Sequence, residues 1–423
     1  LLRQLQGGEL GDVTHILVDE IHERSILSDF LLFLLKRLLP SHRSLKVLLM
    51  SATLDQELFS NYFGGIPSVT VEGRLFSVQE KYLEDIVFDT GYKPSGLTQS
   101  LTDAPSPVDR SQILTQWCDR YQDYGLIPHL IQYLFGSQQS WQGGVILVFL
   151  SGAAEIKTVS RLLNEAFEAS SFSVEVIACH GSLSTSEQKR VFERSNADKR
   201  RVVLSTNIAE TSITIPDCTV VIDTGREKRV LFNSDSNITE MKEVWISRAS
   251  AEQRRGRAGR VRNGTVYRLY TRAKFASFEC YTPPEMVRSP LDALCLQTLR
   301  MRLGNPLRVL TACITPPSTE SIQRALQTLQ EIQAVQVRHD NRGNDVYELT
   351  SLGNHIADLP LDCRMAKMLI YGCLLRCVDA VATIAAFLSQ RTVFRAPLEL
   401  RDEMTSRKRL FANRLSDHLT LLR

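Results

Sequence analysis

The sequence has no apolar run approaching the roughly 18 residues that a membrane-crossing helix needs, so no membrane partner is expected. It has nine cysteines but no C-x-x-C pair; the closest two, Cys373 and Cys377, suit neither a zinc site nor a disulfide framework. A reducing compartment is expected, the cytoplasm first and the nucleus as the alternative. The first residues, Leu1, Leu2, Arg3 and Gln4, are neither an initiator nor the start of a secretory leader. One-sided charge is also lacking, and a net charge of +3 does not by itself argue for nucleic acid.

What is present is the composition of a globular protein, 43% hydrophobic and 23% charged. The 423 residues exceed what one core usually organises, so about two to four domains are expected. Charge is concentrated locally. From Arg248 to Lys274 there are nine basic side chains against one acid, Glu252, and such a segment calls for an anionic partner.

Residues 15–18 and 44–50 form apolar runs of strand length, the first ending in Asp19 and Glu20, the second in Ser51, Ala52 and Thr53. A helical pattern over 30–39 lies between them. Strand, crossover helix and strand make a parallel α/β unit, in which ligands collect at the carboxyl ends of the strands. Residues 90–111 are rich in Gly, Pro, Ser and Thr and read as a loop or insert between lobes. Strands at 144–150, 174–179, 201–204, 219–223 and 265–270, with helices at 153–169 and 184–194, predict a second doubly wound lobe. After Thr315 a helix places Ile322, Leu326, Leu329 and Ile332 on one face, and two short strands flank a turn at 340–344, the pattern of a small winged helix. From 351 onward the pattern is helical.

Two clusters carry chemistry. Asp19, Glu20 and His22 follow a strand, where one carboxylate can hold hydrated Mg²⁺ and the next can reach an attacking water; a solvated loop with an internal ion pair would look the same. In the segment 253–260, Arg254, Arg257 and Arg260 are spaced three apart, which predicts one helical face presenting planar cations to a phosphoryl group.

Residues 19–22, 51–53, 147–152, 205–215 and 253–260 resemble, in order and spacing, motifs II, III, IV, V and VI of the DEAH-box/RHA-type superfamily 2 ATP-dependent RNA helicases, and the resemblance covers nearly the whole chain. It implies an α/β fold of two RecA-like parallel-sheet lobes, the first truncated, followed by a winged-helix domain and a helical ratchet bundle. The expected boundaries are 1–87 for the partial first lobe, 88–142 for a linker, 143–283 for the second lobe, 284–352 for the winged helix and 353–423 for the bundle. By the same resemblance Asp19 binds Mg²⁺ through water with Glu20 beside it, Glu20 is the general base for ATP hydrolysis, and His22 links the nucleotide to Ser51 and Thr53. Gln253, Arg257 and Arg260 meet the γ-phosphate from the opposite lobe, while Arg254 braces the motif internally. Ser212 and Thr214 sense nucleotide, and Phe192 stacks on the base, a core phenylalanine being the competing reading. RNA backbone contacts fall to Ser151 and Gly152, to Gly181 and Ser182, and to Thr206, Asn207 and Thr211, with strand-end capping as the alternative for these small polar groups.

Pro216 intervenes before Asp217, where spliceosomal members carry an acidic residue directly, so Asp217 receives no ribose-binding role. With Tyr270 to Arg272 and Pro284 to Arg288, this form is similar to the cytoplasmic branch that includes ribosomal-scanning helicases. No G-x-x-x-x-G-K-[ST] phosphate loop occurs in these residues. The expectation is part of an intact enzyme rather than a helicase that lost its loop, since the later motifs are present and Leu1 to Arg3 resemble the middle of motif Ib. The implied function is ATP-driven 3′→5′ movement on single-stranded RNA with remodelling of duplexes or ribonucleoprotein. Partners would be single-stranded or structured RNA and an adaptor, activator or ribosomal complex. The rival functions are an inactive RNA-binding scaffold and a DNA helicase of the same superfamily.

Overall fold

A computed structural model of the protein describes residues 13–42, 44–52, 55–71, 73, 76–97, 107–136, 143–168, 170, 172–181, 183, 190–192, 200–211, 213–233, 238–339, 343, 345–389, 401–413 and 416–422. The chain divides into two compact units, one comprising Leu1–Ser68, Val230–Glu240 and Pro283–Arg423, the other Val69–Arg229 and Met241–Thr282.

The first unit begins with β1 (His15–Val18) and β2 (Lys46–Leu49), a parallel pair in which Ile16 faces Val47 and Val18 faces Leu49, connected through α1 (Ile26–Leu38). This parallel pairing sets residues 19–22 and Ser51 at the carboxyl ends of neighbouring strands. The α1 helix starts earlier than the expected residue 30 because its first turn is satisfied twice. Ser25 Oγ accepts the Ser28 N–H at 3.2 Å, and Glu285 Oε2 accepts the Ile26 N–H at 3.0 Å. Two faces of α1 are buried. Leu32 and Leu35 meet Ile16, Val18 and, from α2 (Gln56–Phe63), Phe59; Phe30, Phe33 and Leu34 enter a second core made by residues after 283.

The second unit is built on β3 (Val78–Lys81), β4 (Val145–Phe149), β5 (Val174–Cys179), β6 (Arg200–Ser205), β7 (Cys218–Asp223) and, beyond the hairpin of β8 (Arg226–Asn233) and β9 (Ile238–Trp245), β10 (Gly264–Arg268). Six strands pair in the order β3-β10-β7-β4-β6-β5, all parallel. Every residue of β4 and β7 is buried, which is why β4 reads as an unbroken apolar run and β7 as one interrupted by Thr219 before it closes on Asp223, rather than as alternating strands. Ile146, Val148, Val220 and Ile222 point to one face, against α3 (Leu83–Thr90), α4 (Pro107–Arg120), α5 (Leu126–Gly136) and α6 (Ala153–Phe167). Leu147, Phe149 and Val221 point to the other, where Val191, Ala209, Ile213 and Ala258 cover them.

The linker expected over 88–142 is corrected where those residues are described. Both α4 and α5 pack onto the sheet, and Leu126, Ile127, Leu130, Ile131 and Leu134 of α5 are buried at helical spacing. The unit starts at Val69 and its edge strand β3 pairs with β10, so the lobe reaches well before the expected residue 143. Most of the helix expected at 184–194 lies outside the described residues. The β8–β9 hairpin was missed altogether, since charged residues on both sides of β8 hide its alternation.

The second unit ends with α7 (Arg248–Gly256) and α8 (Arg272–Ala276), and from 283 the first unit continues: α9 (Glu285–Arg288), α10 (Asp292–Arg300), α11 (Pro306–Leu310), α12 (Thr319–Glu331), the antiparallel hairpin β11 (Val335–His339) and β12 (Asp345–Leu349), then α13 (Ser351–Asp358), α14 (Cys363–Leu374), α15 (Val378–Ser389), α16 (Arg401–Leu410) and α17 (Asp417–Thr420). Ile322, Leu326 and Leu329 of α12 are buried, while Ile332 caps the helix and is only partly covered. One core joins Phe30 and Leu34 to Leu294, Leu326, Val335 and Ile356, so α1 and the winged helix are packed as a single body. No described helix is long and apolar enough to cross a membrane.

Two outcomes follow from this packing. A Cβ on Gly353 would stand 1.9 Å from the Ala334 carbonyl oxygen, a backbone atom that cannot swing aside. Gly353→Ala should therefore cost about 1–3 kcal/mol or more, read as a lower thermal midpoint. Asp292, in the first turn of α10, is pushed up to about 6 by burial, with Arg364 opposing and Asp362 adding to the shift. The folded carboxyl binds its proton more tightly than the unfolded one, so its stabilisation is full below the ordinary value of 3.8 and is lost as pH rises through about 6. Asp292→Asn should be more stable than wild type at about pH 8, with the gap closing by about pH 4; equal midpoints at both would contradict this.

Candidate functional site

In the first unit the site is built at the ends of β1 and β2. Asp19 and Glu20 leave β1 exposed, and Asp19 Oδ1 accepts the Glu20 N–H at 2.8 Å. Glu20 adopts a left-handed φ of 54°, a conformation that costs a non-glycine residue energy and is held here by its neighbours. Ile21, fully buried, anchors the turn and donates its N–H to the Met50 carbonyl at 3.2 Å. That bond fastens the acidic turn to the end of β2. His22 then lies with Nδ1 at 3.2 Å from Ser51 Oγ and 3.4 Å from Glu20 Oε2. The structure thus brings His22 and Ser51 together; Thr53 lies outside the described residues. Arg24, also left-handed at φ 49°, forms a two-pronged pair with Asp29 at 2.8 and 3.0 Å and donates to Thr315 Oγ1 at 2.7 Å.

Two exposed carboxylates side by side are oxygen donors of the kind that hold Mg²⁺ through its water shell, so these residues fit the ion that the fold implies. Among the described residues no cluster of three or more His, Cys, Asp or Glu could hold a metal by itself. Asp19 and Glu20 would therefore share the ion with water and phosphate oxygens.

In the second unit α7 begins at the Ser247 cap, whose Oγ accepts the Ser250 N–H at 3.1 Å, and ends at Gly256. The expectation that Arg254, Arg257 and Arg260 share a helical face is therefore wrong: two of the three follow the helix end. The glycine-containing turn that stops the helix gives each guanidinium a separate task. Arg254 has no exposed surface; it donates to Asp223 Oδ1 at 2.8 Å and to Glu210 Oε2 at 3.1 Å. Arg257 is buried and donates to the carbonyls of Ile213, at 3.0 Å, and Glu210. Arg260 is exposed and donates to Thr214 Oγ1 at 2.6 Å. Gln253 is half-buried on α7.

The remaining positions are distributed around the same sheet. Phe192 is 46% exposed beside the buried Val191, so it is a surface ring rather than a core one. Thr206 and Thr211 are half-buried and Asn207 is exposed on the loop after β6. Gly181 is exposed just beyond β5. Ser151 and Gly152 are buried where β4 runs into α6. Ser182 and Ser212 lie outside the described residues. Asp223, Glu210 and Tyr270 were missed by sequence reasoning. Of these only Asp223 left a signal, a carboxylate closing a buried strand, which demands a buried partner.

Residues 126–262 match the helicase conserved C-terminal domain, 325–361 the winged-helix part of the helicase associated domain (HA2), and 362–421 its ratchet-like part. The chain is 37% identical over 463 residues to the ATP-dependent RNA helicase DHX29 of Homo sapiens, covering 100% of this chain and 33% of that protein. It is 36% identical over 456 residues to the DExH-box ATP-dependent RNA helicase DExH1 of Arabidopsis thaliana, covering 100% and 45%. The chain belongs to the DEAH/RHA-type superfamily 2 helicases. It spans less than half the length of either relative. Among solved structures, the E. coli DExH-box NTPase HrpB superposes with a TM-score of 0.72 at 25% identity, over 96% of this chain and 45% of that one. Four strands of the six-stranded sheet, β4 to β7, lie within the matched helicase C-terminal domain, and β3 and β10 extend the sheet beyond it.

In this helicase lobe the Arg254 pair is open to test. Asp223→Ala leaves a buried guanidinium short of its nearest carboxylate and should destabilise the second unit by roughly 3–5 kcal/mol. The measurement is denaturant unfolding, and a change within error of zero would mean that the pair is not holding α7.

Proposed function

We propose that the full-length protein is an ATP-dependent RNA helicase, coupling ATP hydrolysis to 3′→5′ movement on single-stranded RNA and to remodelling of duplexes or ribonucleoprotein. The observation that carries this reading is the acidic turn: exposed Asp19 and Glu20, with His22 Nδ1 hydrogen-bonded to Ser51 Oγ after the next strand and 3.4 Å from Glu20 Oε2. Such a turn can report what it holds to a second segment. Asp19 positions the hydrated Mg²⁺, which when bound neutralises charge on the nucleotide phosphates. Glu20 takes the proton of the attacking water, and its fixed left-handed backbone keeps the carboxylate beside His22.

Gln253, Arg257 and Arg260 supply the γ-phosphate with donors and positive charge. Arg260 is exposed and ready; Arg257 exchanges its carbonyl partners for phosphate oxygens. Thr214, already bonded to Arg260, and Ser212 sense the nucleotide, and the exposed ring of Phe192 stacks on its base. Stacking reads no base edge, so any nucleoside triphosphate serves. Ser151, Gly152, Gly181, Ser182, Thr206, Asn207 and Thr211 grip the RNA backbone, which positions without reading sequence. An adaptor, activator or ribosomal complex therefore supplies the address. A cytoplasmic location is proposed with it, in keeping with nine cysteines that form no disulfide.

Glu20→Gln in the full-length protein should abolish RNA-stimulated ATPase while RNA binding persists; turnover near wild type would remove Glu20 as the base. Stimulation of the wild type by single-stranded DNA in preference to RNA would favour the DNA helicase, and no stimulation by either would favour the scaffold.

A further inference from the structure

Between Arg248 and Lys274 the single acid is Glu252, one residue before Gln253 on α7. Both of its oxygens are taken. Oε1 accepts from Arg268 of β10 at 2.7 Å, and Oε2 accepts from Arg255, three residues on, at 2.6 Å. Arg268 has no exposed surface; it lies 4.3 Å from the Phe275 ring centroid and 5.4 Å from that of Tyr82. Its second carboxylate is Glu80 of β3, whose Oε2 is 3.0 Å away. Three elements are thus tied at one guanidinium, β3 through Glu80, α7 through Glu252 and β10 through Arg268 itself. Burial pulls the Glu252 carboxyl upward, but the bonds and charge of Arg268 and Arg255 outweigh it and hold the group below its ordinary range.

Successive residues of an α-helix are turned by about 100°, so Glu252 stands to one side of Gln253 and Arg254 to the other. Each of these neighbours is an ionic anchor. Glu252 is held by Arg268 on β10, and Arg254 by Asp223 at the end of β7 and by Glu210. A helix pinned along one side can roll about that side, whereas one pinned on both cannot. With only nine residues, α7 has no long packed ridge to resist such a roll. The direction of Gln253, between the two anchors, is therefore set by both. Glu80 serves the same arginine from β3 and approaches α7 only at 3.6 Å, through the partly exposed Arg255.

We propose that Glu252 is a positioning residue for ATP hydrolysis: through Arg268 it fixes the roll of α7 and so aims the Gln253 amide at the γ-phosphate. The inference rests on the γ-phosphate role proposed above for Gln253, and it gives Glu252 and Arg268 a task that the motif resemblance does not include.

The test uses the full-length protein and reads RNA-stimulated ATPase, RNA affinity and thermal midpoint together. Glu252→Ala should lower kcat several-fold with RNA affinity unchanged, and Glu252→Gln, which keeps an oxygen for Arg268, should recover part of the loss. Glu80→Ala takes the other carboxylate from Arg268; it should lower the midpoint as Glu252→Ala does while kcat stays near wild type. Gln253→Ala should lower kcat by itself, and adding Glu252→Ala to it should cost nothing further, the mark of two residues acting as one. Equal losses of kcat in Glu252→Ala and Glu80→Ala would make Glu252 a structural residue only and overturn the inference. So would losses from Glu252→Ala and Gln253→Ala that multiply, or turnover near wild type in Glu252→Ala. Full turnover in Gln253→Ala, or no ATPase in the wild type, would instead remove the role on which the inference rests.

Discussion

The second unit's site depends on the burial of one guanidinium. Removing Arg254 from water is costly, and only anionic partners placed at hydrogen-bond distance can offset that cost. Burial pulls against its charge, but Asp223 and Glu210 outweigh it and hold Arg254 above the ordinary arginine range. Asp223 is itself fully engaged, accepting also from the Gly225 N–H and from the Tyr270 hydroxyl, each at 2.9 Å. Gly225 is a glycine for a steric reason as well, since a Cβ would stand 2.6 Å from the Tyr270 ring. The end of β7, the last turn of α7 and the segment after β10 thus converge on one carboxylate. With α7 fixed there, the turn after Gly256 has little choice in where it sends Arg257 and Arg260.

A second buried pair does the same in the first unit. Asp29 is fully buried, and burial raises its carboxyl above the ordinary range even though Arg24 bonds it twice. Arg24 follows the acidic turn by only a few residues, its carbonyl accepts the Glu285 N–H at 3.0 Å, and its guanidinium reaches Thr315. The turn bearing Asp19 and Glu20 is therefore wired into the segments that lead to the winged helix. The shared core beneath, with Phe30 and Leu34 among winged-helix residues, makes the same connection with apolar contacts.

Much of this was legible in the sequence because some physical demands are local. A strand buried on both faces is apolar over most of its length, so β4 and the Val220–Ile222 stretch of β7 declared themselves. The carboxylates after β1 and the basic segment after β9 stood out because clustered charge has few structural uses. The α5 helix was equally plain in its spacing, with Leu126, Leu130 and Leu134 on one face, yet was passed over beside a Gly- and Pro-rich stretch. The hairpin of β8 and β9 was hidden, since Arg226, Glu227, Lys228 and Arg229 carry charge on both sides and alternate only in what they bury.

The sequence by itself determined the family, the order of its motifs and the chemistry each could carry, because residue type and spacing are enough for that. The family resemblance already implied that Arg254 is an internal brace; only the tertiary structure decided what it braces and how Arg257 and Arg260 are held. Arg257 is a backbone-bound donor and Arg260 an exposed cation because a helix stops at Gly256, and the partners, the Asp223 and Glu210 carboxylates for Arg254, the Ile213 and Glu210 carbonyls for Arg257 and the Thr214 hydroxyl for Arg260, are distant in the chain. Partners brought together by a sheet and a turn leave no periodic trace in the sequence.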